Sequence, residues 1–224
     1  MCGRYTLFTK YEDIINRFHI EAGITEDEYI QSYNIAPSQR VLSVINDGSV
    51  NRLGYLKWGL VPAWAKDEKI GYKLINARAE SLTDKPSFRK AYQNRRCLII
   101  SDSFYEWKRN GDIKIPMRIK LKSDDLFAMA GLWEAWTSPQ GTKLYTCTII
   151  TTGANGIVAP IHDRMPVILP KELESEWLNP AVHNAAELDR LLKPYDEQLM
   201  EAYEVSAAVN SPKQNNPDLL KRIG

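Results

Sequence analysis

Cys97-Leu98-Ile99-Ile100-Ser101-Asp102-Ser103-Phe104-Tyr105-Glu106-Trp107-Lys108-Arg109-Asn110-Gly111-Asp112-Ile113-Lys114-Ile115-Pro116-Met117-Arg118-Ile119-Lys120-Leu121 reads as three strands in succession. Cys97 to Ser101 is a short apolar run, the signature of a strand buried on both faces. Phe104 to Lys108 alternates, with Phe104, Glu106 and Lys108 on one face and Tyr105 and Trp107 on the other. Asn110-Gly111 supplies the positive φ angles that a two-residue hairpin turn requires, and Ile113 to Leu121 is its return strand. The same grammar recurs outward along the chain. Val41 to Ile45 and Val50 to Trp58 flank Asp47-Gly48, a second hairpin signal, and further strands are predicted at Leu126 to Trp133, Leu144 to Thr152 and Ala202 to Val209. Helical signals are shorter. Thr9 and Glu12 have capping-box spacing before Ile14, Ile15 and Phe18, and Thr25 and Glu28 repeat that spacing. Lys171 to Leu178 and Ala185 to Leu192 also read as helices. Many short strands with few short helices predict an α+β fold. Its core is a curved, barrel-like antiparallel sheet with peripheral helices, in one domain over residues 2–224.

Composition narrows the function. The chain has 224 residues, is 44% hydrophobic and 25% charged, and carries a formal charge of +1. A near-neutral chain has no bulk attraction to a polyanion, so a nucleic-acid site has to be a local basic patch. No apolar run approaches the roughly 18–20 residues of a membrane span, and no leader pattern precedes the first strand, so a cytoplasmic location away from membranes is expected. Nothing marks an obligate oligomer, so a monomer is expected. The three cysteines, Cys2, Cys97 and Cys147, include no CxxC pair, which argues against a disulfide framework or a zinc site. Cys97 and Cys147 lie in apolar strands and read as buried thiols. No glycine-rich phosphate loop is present, and neither a cofactor nor a metal is expected.

Five segments carry polar residues in awkward company. Cys2 becomes the N-terminus if Met1 is removed. It is then a 1,2-aminothiol, whose amine ordinarily titrates at about 7.7–8.0 and whose thiol titrates at about 8.5. The amine condenses with an aldehyde to a Schiff base, and the thiol closes a five-membered thiazolidine. Tyr33-Asn34-Ile35-Ala36-Pro37-Ser38 is turn-like, and Asn34 there suits a bond to its own backbone. Trp64 follows Gly59 and Pro62 in a loop, where an exposed indole suits base stacking. Asn76 and Arg78 alternate around Ala77, an amide beside a guanidinium, and a structural pair of Arg78 with Glu80 is the plainer alternative. Glu106 sits among aromatics as a candidate proton-transfer group, against the alternative of a solvated glutamate paired with Lys108. His162 lies between Pro160 and Pro166 beside Asp163 and Arg164, and histidine titrates where protons are exchanged physiologically.

Taken in order, Met-Cys-Gly-Arg-Tyr, Tyr-Asn-Ile-Ala-Pro, Trp-Gly-Leu-Val-Pro-x-Trp, Asn-Ala-Arg-x-Glu, Phe-Tyr-Glu-Trp, Ile-His-Asp-Arg-Met-Pro and Val-Ser-x-x-Val-Asn span residue 2 to about residue 220. This series resembles the SRAP family of abasic-site processing proteins. The resemblance implies covalent attachment to ring-opened abasic sites in single-stranded DNA, as part of the DNA damage response. It also implies lyase-type chemistry and self-processing that removes Met1. Cys2 matches the nucleophile, Asn76 the amide beside the α-amine, Glu106 the proton shuttle and His162 the group that holds the opened sugar. Arg4 and Arg78 match phosphate-gripping arginines, Arg164 is a further candidate DNA-binding residue, and Asn34, Pro37 and Trp64 fall in motifs of a DNA channel. Two other readings use the same residues: a cysteine-type peptidase or amidohydrolase acting through Cys2, and a non-covalent single-stranded DNA binder. For any DNA reading a local basic groove is expected, with Arg89, Lys90, Arg95, Arg96, Lys66, Lys69 and Lys73 as candidate walls.

Overall fold

The computed structural model describes residues 2–223; Met1, on whose removal the aminothiol depends, lies outside the described residues. The strands are β1 (Tyr5–Leu7), β2 (Ile20–Gly23), β3 (Ser32–Ile35), β4 (Arg40–Asn46), β5 (Asn51–Trp58), β6 (Asn76–Arg78) and β7 (Arg96–Ser101). They continue with β8 (Ser103–Asn110), β9 (Ile113–Leu121), β10 (Phe127–Thr137), β11 (Lys143–Gly153), β12 (Arg164–Pro166), β13 (Ile168–Leu169) and β14 (Met200–Glu204). Among the described residues four α-helices lie between them: α1 (Tyr11–Phe18), α2 (Pro86–Asn94), α3 (Lys171–Leu178) and α4 (Ala185–Asp189).

Five strands close a barrel in the order β11-β10-β7-β4-β5, with β5 returning to β11. Four of its pairings are antiparallel, as expected. The closure is parallel, with Lys57 opposite Thr146 and Trp58 opposite Cys147. Geometry demands this, because strands that alternate direction around an odd-numbered ring must leave one parallel pair. Val44, Leu53, Trp58, Cys97, Ile99, Met129, Leu132, Cys147 and Ile149 are buried in the core. Cys97 and Cys147 are free thiols there, and burial pushes both above the usual thiol range. A second sheet, β14-β9-β8-β1-β3, is built on the predicted Asn110-Gly111 hairpin and receives the N-terminal strand between β8 and β3.

Three local expectations differ from the structure. Thr9 does not cap α1: its hydroxyl and amide both go to the buried carboxylate of Asp102, which pins β1 to the β7–β8 junction. The helix instead begins after Lys10, without a side-chain cap. The last strand stops at Glu204 rather than Val209, because Ser206 caps a short turn over Ala207–Asn210 that swings Val209 toward Arg4. The helix from Ala185 ends at Asp189. Thr25 and Glu28 do pair as their spacing predicts: the Thr25 amide donates to the Glu28 carboxylate at 3.0 Å over a single short turn. Among the described residues no helix is long and apolar enough to cross a membrane.

Candidate active site

The N-terminal strand is laid along β8 with Tyr5 opposite Phe104 and Thr6 opposite Ser103. The amide of Tyr105 donates to the Arg4 carbonyl at 2.9 Å. That alignment carried back one step sets Gly3 opposite Glu106, so Cys2 arrives beside the carboxylate. Cys2 is fully buried. Burial first, and the Glu106 charge second, push its thiol well above the usual range. The side chain is therefore a neutral thiol at physiological pH rather than a thiolate.

Strand alternation puts Glu106 on the face of Phe104, and it is only 4% exposed. Lys108 is exposed, so the solvated Glu106–Lys108 pair is not formed. Tyr105, on the other face, packs with Val205, Val209 and Leu219. Trp107 donates its indole N–H to Asn210 Oδ1 at 2.7 Å. His162 shares with Glu106 a cavity of about 380 Å³, also lined by Trp107, Arg109, Lys114 and Asn210. Its Nδ1 lies 3.0 Å from the Arg164 amide and 2.8 Å from Asp163 Oδ1. Accepting from the amide fixes the neutral ring as the Nε2–H tautomer.

Asn76 enters on β6, which runs parallel to β11 with Asn76 opposite Ile149. Both polar atoms of its amide are buried without a hydrogen-bond partner. Such an amide costs about 1–3 kcal/mol per unsatisfied group, so it opposes folding. Asn76→Leu should therefore leave stability unchanged or raise it by about 1 kcal/mol in urea unfolding, while it removes the amide's function. A loss above about 1 kcal/mol would mean that the amide serves the fold.

Arg78 ends β6 and is exposed, and it is not the partner of Glu80. Arg164 is. Its two terminal nitrogens hold the Glu80 carboxylate at 2.7 and 2.9 Å, and one also donates to the Thr151 carbonyl at 2.6 Å. This pairing holds the Glu80 carboxyl below its usual range. It also ties the turn after β6 to β11 and β12, and so fixes the element carrying Asn76 relative to the one preceded by His162. A phosphate at Arg164 has to compete with that carboxylate. Asn34 is buried and does not bond its own turn. Its amide nitrogen donates to the carbonyls of Val209, Ser211 and Gln214, and its oxygen accepts from Arg4 at 2.8 Å. Arg4 also donates to the Val209 carbonyl at 2.7 Å. Together they latch the N-terminal strand to the segment after β14. Pro37 lies half-buried in the turn after β3. Trp64 is 60% exposed on a loop whose neck is closed by the Leu60 amide donating to the Leu74 carbonyl. At that neck Gly59 has φ +128° and an added Cβ would stand 2.7 Å from the Gly71 carbonyl oxygen, so neither a side chain nor ordinary backbone fits.

The expected groove walls divide. Arg96 is buried and donates to the carbonyls of Tyr92, Gln93, Trp177, Asn179 and Val182, which makes it a strut rather than a DNA contact. Arg95 is ion-paired with Glu134. Arg89 and Lys90 on α2, and Lys66, Lys69 and Lys73 on the Trp64 loop, are exposed. Three further residues stand out only in the fold: Tyr72, 63% exposed on that loop, and the cavity-lining Arg109 and Lys114. The hairpin register across Asn110-Gly111 was the signal available for the latter two.

Residues 1–212 match the sequence profile of the family described as SOS response associated peptidase (SRAP). The chain is 62% identical over 222 residues to the abasic site processing protein YoqW of Bacillus subtilis, covering 99% of each. It is 30% identical over 228 residues to the abasic site processing protein HMCES of Xenopus tropicalis, covering 88% of this chain and 68% of that one. A solved protein from Bacteroides thetaiotaomicron shares the fold with a TM-score of 0.90 at 30% identity, over 99% of this chain and 100% of that one.

Proposed function

The chain belongs to the SOS response associated peptidase (SRAP) family, and from that premise we propose that it processes abasic sites in single-stranded DNA by covalent capture at Cys2. The observation that carries this reading is the burial of the Cys2 thiol against Glu106, in register with a cavity that Glu106 shares with His162. Once Met1 is removed, the α-amine of Cys2 attacks C1′ of the ring-opened sugar. Ring opening itself needs a proton delivered to the ring oxygen as the aldehyde forms, and Glu106 is placed to supply it. The carbinolamine loses water to an imine, with His162 and Glu106 exchanging the protons. The thiol then adds to the imine carbon, its proton passes to the nitrogen, and a thiazolidine closes. The balance is aldehyde plus amine plus thiol giving thiazolidine plus one water.

A neutral thiol suits this order, because the amine reacts first and the thiol is required only for ring closure. The unpartnered amide of Asn76 supplies a donor and an acceptor for the opened sugar or the amine. Arg78 is the exposed phosphate contact, Trp64 a stacking platform worth about 1–3 kcal/mol per base, and Pro37 a wall of the channel. Arg4 and Asn34 act by latching the strand that carries Cys2, and Arg164 reaches a phosphate only on leaving Glu80. Release of Met1 and strand-cleaving activity would draw on the same carboxylate and imidazole.

Mixing the protein with single-stranded DNA made abasic by uracil glycosylase, then running a denaturing gel, tests the reading. A shifted band that vanishes in Cys2→Ala is expected. No band, together with peptide hydrolysis that needs Cys2, would replace covalent capture by peptidase chemistry.

A further inference from the structure

The β8–β9 hairpin seats Arg109 directly opposite Lys114. Like charges in directly opposed positions weaken an antiparallel pair. Both side chains are exposed, and among the described residues neither is ion-paired with a carboxylate, not even with Asp112 in the intervening turn. This unneutralised pair does not sit at random on the surface. Both residues line the same cavity of about 380 Å³ as Glu106 and His162. Two fixed cations at the mouth of a cavity that holds a buried carboxylate favour an anion at the rim and leave the floor to a neutral group. A sugar flanked by its own phosphate has that pattern of charge.

We propose that Arg109 and Lys114 are positioning residues that grip the internucleotide phosphate next to the reacting abasic sugar, and so set the path of single-stranded DNA across the cavity mouth. The proposal rests on the covalent-capture reading for which sugar is held, but the grip itself is a non-covalent contact that can be measured alone. Each phosphate contact on a single strand contributes about 0.7 to the slope of log K against log salt. The Arg109→Gln, Lys114→Gln double variant should therefore flatten that slope by about 1.4. If counterion release is the whole contribution, this corresponds to roughly 25-fold weaker binding at 0.1 M salt.

The probe is a single-stranded oligonucleotide carrying a tetrahydrofuran abasic analogue, which has no aldehyde and binds without reacting. The control is Lys122→Gln, Lys193→Gln, which removes the same net charge from a separate cavity. The expected result is a flatter slope and weaker binding for the hairpin variant, with the control close to wild type. Equal slopes and affinities for the two variants would overturn the grip. A parallel reaction with aldehyde-bearing DNA separates the two claims. If the wild type forms no adduct there, covalent capture fails, whatever the slopes show. If adduct forms normally while the slopes are equal, the grip alone fails.

Discussion

Glu106→Gln is expected to slow adduct formation by on the order of 10²–10⁴-fold under single-turnover conditions, the range over which a positioned acid or base contributes. The sign of this effect separates two roles. The Glu106 charge helps to hold the Cys2 thiol protonated. Burial is the larger cause of that shift, so the thiol stays neutral in the variant. If the carboxylate were only a nearby charge, the variant would react at about the wild-type rate. If the carboxylate moves protons during ring opening and imine formation, the variant reacts more slowly. The near-isosteric amide keeps the shape of the buried site. A rate at or above wild type would remove Glu106 from the proton-transfer role.

Trp58→Ala is expected to destabilise the protein by about 3–5 kcal/mol, the usual result of truncating a buried indole to a methyl. Trp58 stands at the parallel closure of the barrel, opposite Cys147, and is 1% exposed. Its ring packs edge-on to Tyr5 with centroids 5.5 Å apart, and its N–H donates to the Ile75 carbonyl at 2.8 Å. One side chain thus joins the barrel seam to the strand that carries Cys2 and to the residue before Asn76. Trp58→Phe keeps most of the packing and loses the hydrogen bond, worth about 1 kcal/mol, so it should fall between the two. Urea unfolding reads both. A loss under about 1 kcal/mol for Trp58→Ala would show that the seam does not depend on this contact.

What was legible in the chain was local. The Asn110-Gly111 and Asp47-Gly48 signals mark strand pairs only a few residues apart, and both hairpins form there, but the first turns at Gly111-Asp112 with Gly111 at positive φ and Asn110 paired to Ile113, and the second spans four residues between Asn46 and Asn51. Alternation through Phe104-Tyr105-Glu106-Trp107 sets the carboxylate on the face of Phe104, and both side chains are buried there. What was not legible depends on partners far away in the chain. The parallel β5–β11 closure joins segments some ninety residues apart and follows from the odd strand count, which no local window contains. Thr9 has the right spacing to cap a helix, but the buried Asp102 carboxylate offers its hydroxyl and amide a stronger acceptor. Arg96 looks like a surface cation until α2, α3 and the segment after α3 converge five carbonyls on it. Asn34 belongs to a turn by composition and to the segment after β14 by contact.

On the proposed mechanism the thiol and the α-amine of Cys2 react as one unit. Intact-mass analysis of the protein–oligonucleotide adduct, followed by proteolysis and peptide sequencing, tests it most directly. The expected product is a modified peptide that begins at Cys2, carries the sugar remnant with the loss of one water, and resists thiol alkylation. A remnant on a lysine, or on a peptide that still begins with Met1, would contradict it.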